Sequence, residues 1–216
     1  MRTVIFANGV LGPVETAGNM AAQSDYIIAA DGGARHCEML GIVPNLLIGD
    51  LDSTTDEKLR SLTAQGVEII RHPVHKDQTD LELAVLEARK RGADDIVVLG
   101  ALGDRWDMTL ANVMILGADL AGINVRLVDG PHELFMLYGG NSVTVQGRAG
   151  DLLSLIPLGR EARGVTLEGL EYPLKDALIK FGSTLGVSNV FLGEQATVHL
   201  VEGALLCVHL KGGAPK

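Results

Sequence analysis

Four short segments each carry at least one aspartate, three of them beside glycine: Asp31-Gly32-Gly33-Ala34, Gly49-Asp50-Leu51-Asp52-Ser53, Asp77-Gln78-Thr79-Asp80 and Gly103-Asp104-Arg105-Trp106-Asp107. A single aspartate is common in turns and at helix starts, where it accepts hydrogen bonds from free N–H groups. Asp56 reads that way, and Asp80 has the same plain reading as a first-turn acid. The set reads differently if all four segments share one edge. Carboxylates gathered together repel one another unless a cation sits among them. Mg²⁺ takes hard oxygen ligands, usually a few carboxylates plus substrate phosphates. In an extended segment residues two apart point the same way, so Asp50 and Asp52 are expected to face one metal ion. Gly32, Gly33, Gly100 and Gly103 let backbone N–H groups approach phosphate oxygens. Arg105 offers a fork of donors to a transferring phosphoryl group, with an ion pair to Asp104 or Asp107 as an equal alternative.

The elements that must position these residues follow from the apolar pattern. Short runs at Val4–Ala7, Tyr26–Ala30, Leu46–Ile48, Val67–Ile70, Ile96–Leu99 and Val125–Val128 alternate with helix-like stretches. Leu81, Ala84, Val85 and Ala88 fall on one helical stripe. Thr79-Asp80-Leu81-Glu82 and Thr54-Thr55-Asp56-Glu57 match capping boxes. Strands alternating with helices predict an α/β class with a mostly parallel sheet covered on both faces. In such a sheet ligands bind beyond the carboxyl ends of the strands, where the aspartate segments fall.

Near Tyr138-Gly139-Gly140-Asn141 the helical periodicity stops. Ser142–Val145, Leu152–Ile156, Val165–Leu167, Thr197–Val201 and Ala204–Leu210 are β-like runs separated by Gly, Pro and Asn. They predict a smaller all-β sandwich or barrel. The change falls between about residues 130 and 141, giving domains 1–135 and 136–216. The tail Lys211–Lys216 is expected to fray.

Composition narrows the function classes. With 47% hydrophobic and 21% charged residues among 216, the chain has ordinary globular composition. A net charge of -9 without a Lys/Arg cluster argues against nucleic acid. Arg89-Lys90-Arg91 reads as the cationic last turn of a helix. Cys37 and Cys207 have no metal-ligand spacing and are expected to be reduced and interior, which suits the cytoplasm. The start of the sequence does not read as a signal peptide, and no stretch reaches the ~20 apolar residues of a membrane span. P-loop, dinucleotide and G-x-S-x-G patterns are missing; in Gly182-Ser183-Thr184-Leu185-Gly186 the serine is displaced. His72 and His75 read as solvated loop histidines and Trp106 as a packing residue.

The four aspartate segments, in this order and spacing, resemble thiamine pyrophosphokinases. Gly169-Leu170-Glu171-Tyr172-Pro173-Leu174 and Gly186-Val187-Ser188-Asn189 resemble that family's thiamine-side domain, so the likeness spans nearly the whole chain. The resemblance implies transfer of the terminal pyrophosphoryl group of ATP to the hydroxyl of thiamine, giving thiamine diphosphate and AMP. It implies a homodimer whose site lies between the α/β domain of one subunit and the β domain of the other. By motif match, Asp50, Asp52 and Asp80 ligate Mg²⁺ or orient the thiamine hydroxyl. Asp31, Gly32, Gly33, Asp77, Gly103, Arg105 and Asp107 serve the nucleotide and its metal, and Ser188 and Asn189 lie near the thiamine pyrimidine. Asp80 or Asp52 accepts the hydroxyl proton; both stay open. The family usually has Gly-Gly-Arg where this chain has Gly103-Asp104-Arg105, and often His where it has Met108. Two rivals remain: a pyrophosphokinase for another heterocyclic alcohol such as a pterin, and a non-catalytic nucleotide or thiamine sensor.

Overall fold

The structure, a computed structural model, describes every residue except 53, 104, 119–121 and 214–216. Ser53, Asp104 and the end of the tail therefore lie outside the described residues. The chain divides into two compact units, Met1–Gly130 and Pro131–Lys216. Among the described residues no helix is long and apolar enough to cross a membrane.

In the first unit every apolar run becomes a strand: β1 (Arg2–Phe6), β2 (Tyr26–Ala30), β3 (Leu46–Gly49), β4 (Glu68–Arg71), β5 (Asp95–Leu99) and β6 (Asn124–Asp129). They pair in parallel in the order β6-β5-β1-β2-β3-β4. The helices are α1 (Val14–Ala22), α2 (Ala34–Met39), α3 (Asp56–Ala64), α4 (Asp80–Lys90) and α5 (Trp106–Ile115). Successive strand residues alternate between faces. Val4, Phe6, Ala29, Leu47, Val97 and Leu99 share a core with Ala17 and Ala21 of α1, Cys37 of α2 and Leu62 of α3. The alternate residues Ile5, Ile28, Leu46, Ile48, Ile96 and Val98 are buried as well. Helix α4 packs against β1, β2 and β3 on that face and buries Leu81, Ala84, Val85 and Ala88. A sheet buried on both faces explains why its strands read as unbroken apolar runs.

Helix starts follow their caps. Thr79 Oγ1 accepts from Glu82 N at 3.2 Å and begins α4. At α3 the cap is Thr55, whose Oγ1 accepts from Lys58 N at 3.3 Å. That is one residue later than the Thr54 pattern implies, because Thr54 N turns back onto Leu51 O at 3.2 Å. Arg89 and Lys90 form the cationic last turn of α4. Arg91 does more: it forks onto both carboxylate oxygens of Glu68 at 2.8 Å, tying α4 to β4.

The second unit is a β-sandwich. One sheet holds β7 (His132–Tyr138), β9 (Leu152–Pro157), β12 (Asn189–Val190) and β14 (Ala204–Leu210) in the order β12-β9-β14-β7. The other holds β8 (Asn141–Gln146), β10 (Glu161–Glu168), β11 (Ala177–Lys180) and β13 (Gln195–Leu200) in the order β11-β10-β13-β8. Leu153 and Leu155 from the first sheet share a core with Val165, Leu167 and Val198 from the second. Residue 135, where the sequence expectation ends the first domain, falls inside β7. This strand pairs along its whole length with β14, so it goes with the second unit. Both cysteines are free and buried. Burial pushes each thiol up to about 12, which leaves them protonated and unreactive.

Candidate active site

The chain passes from β1 to its neighbour β2 on one side and from β5 to its neighbour β6 on the other. The carboxyl ends of β1 and β5 therefore flank the switch point of the sheet, where a crevice opens. A cavity of about 880 Å³ lies there, and Asn8, Gly9, Asp31, Lys76, Asp80 and Arg105 are among its lining residues. Gly9 N donates to Gly100 O at 2.7 Å and Val10 N to Leu102 O at 3.0 Å, stitching the loop after β1 to the loop after β5. A Cβ at Gly9 would stand 2.5 Å from both acceptor carbonyls, so only glycine fits. Buried His36 completes this junction, with Nε2 2.9 Å from Gly9 O. Burial, with Arg35 nearby, lowers the His36 pKa despite the Gly9 carbonyl, so the neutral ring donates that bond near pH 7. Gly9 and His36 lie outside the aspartate segments that mark the site in the sequence. The signal was present: Asn8-Gly9 directly follows the first apolar run.

The carboxylates gather one or two strands away. Asp31, Asp50 and Asp52 each offer an oxygen within 4.8 Å of the others. The route to this arrangement differs from the expected extended segment. Leu51 has φ 59° and its side chain is fully buried. A bulky residue is seldom left-handed, and here the buried leucine anchors the turn. Asp50 and Asp52 consequently meet across a tight turn, in which Asp52 N donates to Asp50 Oδ1 at 3.2 Å. Asp31 is also left-handed, with φ 45°. Its Oδ1 is buried without a hydrogen-bond partner. Burial chiefly raises the Asp31 pKa, helped by the charges of Asp80, Asp50 and Asp52 and opposed by a Gly32 backbone bond. An oxygen without a donor, beside two other carboxylates, suits a hard cation.

Asp80, the first residue of α4, faces the same place but has a resident partner. Lys76 Nζ lies 3.0 Å from Asp80 Oδ1 and 3.6 Å from Asp50 Oδ2. The contact with Asp80 is an ion pair and not a directed hydrogen bond, since that oxygen lacks a hydrogen-bonding partner in good geometry. Lys76 was not among the residues the sequence singled out, although it sits immediately before Asp77.

The remaining candidates divide. Gly103 and Arg105 line the cavity. Thr109 Oγ1 holds Gly103 through its N and O, both at 3.2 Å, and Asn112 Nδ2 donates to Ala101 O at 2.6 Å. The α5 side chains thus fix the loop after β5, a role not visible in the motif. Arg105 forks onto Asp107 at 2.6 and 3.2 Å, the ion-pair alternative. Both members are exposed, and each holds the other charged: Arg105 is raised by Asp107, and Asp107 is lowered by Arg105. Asp77 is exposed. Gly32 and Gly33 serve close packing: a Cβ would stand 2.1 Å from Asn8 Oδ1 at Gly32 and 1.9 Å from Phe6 O at Gly33. Trp106 is a correction. It is 74% exposed, because α5 turns Asn112 and Val113 toward the core and leaves Trp106 outside.

In the second unit Ser188 is exposed with φ 58°, and Ser154 Oγ accepts from its N–H at 3.0 Å. Asn189 is buried, and its amide grips the backbone of Tyr172: Oδ1 accepts from Tyr172 N at 2.9 Å and Nδ2 donates to Tyr172 O at 2.7 Å. The Gly186–Asn189 and Gly169–Leu174 motifs are thereby locked together, and Tyr172 is presented outward at 62% exposure.

A doubly wound parallel sheet, a crevice at its switch point and carboxylates with lysine and arginine near it define an α/β protein with a candidate ligand site, in a chain that also carries a β-sandwich. Residues 17–127 match the model of the thiamin pyrophosphokinase catalytic domain, and residues 141–205 match that of the thiamin pyrophosphokinase vitamin B1 binding domain. The thiamine pyrophosphokinase of Bacillus subtilis (strain 168) is 31% identical over 169 residues, covering 78% of this chain and 79% of that protein. The crystal structure of the thiamine pyrophosphokinase from Bacillus subtilis superposes with a TM-score of 0.84 at 29% identity, over 98% of this chain and 99% of that one. The thiamin pyrophosphokinase structure from Geobacillus thermodenitrificans gives 0.84 at 26% identity, over 99% of both chains. The chain belongs to the thiamin pyrophosphokinase family.

Proposed function

We propose that the protein transfers the terminal pyrophosphoryl group of ATP to the hydroxyl of thiamine, releasing AMP. The observation that carries this reading is the carboxylate trio of Asp31, Asp50 and Asp52, of which Asp31 lines a cavity large enough for a nucleotide, in a chain of this family. The family matches favour thiamine over the pterin alcohol.

The residues present fit a divalent cation. Asp31 Oδ1 is buried and lacks a donor, and three carboxylates converge. Asp31, Asp50 and Asp52 would hold Mg²⁺, with Asp80 beside them. The ion supplies charge neutralisation at the phosphate oxygens. The chain's own residues do the rest. The loops after β1 and β5 form the crevice floor for the nucleotide, and Arg105 offers its fork to the phosphates once it leaves Asp107. The thiamine hydroxyl attacks the β-phosphorus. A new O–P bond forms, the bond from that phosphorus to the α-phosphate bridging oxygen breaks, and AMP leaves with the electron pair. The hydroxyl proton goes to a carboxylate, Asp52 or Asp80. Acidic walls attract the cationic thiazolium ring.

Two further parts of the reading have physical support. Helix α5 is apolar on its outer side, where Trp106, Leu110 and Met114 are all more than half exposed at helical spacing. An exposed apolar stripe on a helix is one that a partner covers, which supports a homodimer. Two buried free thiols support a cytoplasmic setting. The test is acceptor-dependent AMP release. Thiamine with ATP and Mg²⁺ should give AMP, and hydroxymethylpterin should not. AMP formed only with the pterin, or thiamine bound without turnover, would overturn the assignment.

A further inference from the structure

We propose that Lys76 is the resident cation of the carboxylate cluster: it holds Asp50 and Asp80 together before a divalent ion binds, then passes its ammonium to the phosphates of the nucleotide. The inference rests on the reading that the cavity takes a nucleotide with its metal.

The geometry is specific. Lys76 lies four residues before Asp80, and its Nζ reaches across to Asp50 as well. The side chain is only 12% exposed and lines the cavity. Its third contact is Pro73 O at 3.3 Å, within its own loop. The two carboxylates favour the charged ammonium, and Pro73 O accepts a hydrogen bond from it. One distance is 3.6 Å, and the 3.0 Å pair lacks hydrogen-bond direction. A lysine ammonium is a compact charge on a flexible stem, so it can pivot about this loop.

Asp50 belongs to both arrangements. It contacts Lys76, and it is one of the three carboxylates whose oxygens converge. A divalent ion placed there meets the positive charge of Lys76 at close range. In the absence of nucleotide the lysine therefore opposes metal binding. Once a triphosphate is present the same charge has an anion to face, and it favours the complex. A merely structural lysine would not change sign between the two conditions.

The test measures Mn²⁺ affinity by electron paramagnetic resonance, with and without ATP, in the full-length protein. Lys76→Met and Lys76→Gln remove the charge, and Lys76→Arg keeps it. Without nucleotide, the neutral variants should bind Mn²⁺ about tenfold more tightly than wild type, as expected for losing one like charge near the ion. With Mg²⁺ present, they should bind ATP about tenfold more weakly. Lys76→Arg should stay close to wild type in free Mn²⁺ affinity. Free Mn²⁺ affinity that is unchanged or weaker in a folded neutral variant overturns the proposal. Failure of wild type to bind ATP, with Mn²⁺ binding intact, instead overturns the nucleotide reading on which it rests.

Discussion

Gly49 and Asp31 are in contact across the end of the sheet: a methyl group at Gly49 would stand 3.0 Å from Asp31 Cβ and 3.2 Å from Asp80 Oδ1. The glycine at the end of β3 therefore keeps open the space between two carboxylates. Gly49 has φ 155°, so Gly49→Ala should strain the end of β3 as well as push these side chains apart. A displacement of about 1 Å in a catalytic set costs on the order of 10²-fold in turnover. Steady-state kinetics together with Mn²⁺ titration would check this; wild-type values for both would remove Gly49 from the account.

Asp31 links the site to pH. Its folded-state carboxyl is raised above the usual range, first by burial and then by Asp80, Asp50 and Asp52. A raised group contributes stability at low pH, and that contribution is lost as pH rises through the folded value. In the metal-free protein, Asp31→Asn should accordingly raise Tm at neutral pH and change it little at about pH 4. Mg²⁺ should raise Tm of wild type at neutral pH and do so less in the variant. Thermal scans at the two pH values, with and without the ion, decide it.

The second unit makes its own stability prediction. Asp151 and His209 are a buried pair, 3.3 Å apart, with Phe191 stacked on the imidazole. Burial pushes the Asp151 carboxyl up, but the Gly212 and Arg148 backbone N–H groups and His209 outweigh it and hold it below the usual range. Its contribution is present above the unfolded carboxylate value and is lost as pH falls through the folded one. Asp151→Ala should cost about 2–4 kcal/mol of unfolding free energy in urea, because several buried donors lose their acceptor. That deficit should shrink in acid.

Asn189 tests whether the thiamine-side motifs work as one piece. Asn189→Ala removes both bonds to Tyr172 and should cost about 1–3 kcal/mol. KM for thiamine should rise more than KM for ATP. Asn189→Asp keeps the acceptor toward Tyr172 N but sets a buried carboxylate oxygen against Tyr172 O, so it should cost at least as much as Asn189→Ala. Equal changes in both KM values would show that the motif is not on the thiamine side.

Much of this was legible in the chain. Strands β2 and β14 coincide with the apolar runs Tyr26–Ala30 and Ala204–Leu210, because buried strands are built mostly of apolar side chains. Helix α4 was marked by its cap and its stripe. Other features depend on tertiary closure. β7 carries His132, Glu133 and Tyr138, so it does not read as a run, and pairing with β14 makes it a strand. The left-handed turn at Leu51 follows from burial of its side chain, which no local pattern announces. His36 and Lys76 reach the crevice only because the sheet order brings the β1, β2 and β5 loops beside the start of α4. Asn189 is read from the motif as lying near thiamine, and the structure adds that its amide clamps the backbone of Tyr172.

On the proposed reading, carboxylates on the rim of the sheet, with a divalent ion, move two phosphoryl groups together. Phosphorus NMR of a reaction containing ATP, Mg²⁺ and thiamine reads this directly. AMP and thiamine diphosphate should appear in equal amounts, with both lost when the metal is chelated and nearly lost in Asp52→Asn. ADP with thiamine monophosphate, or equal turnover after chelation, would contradict it.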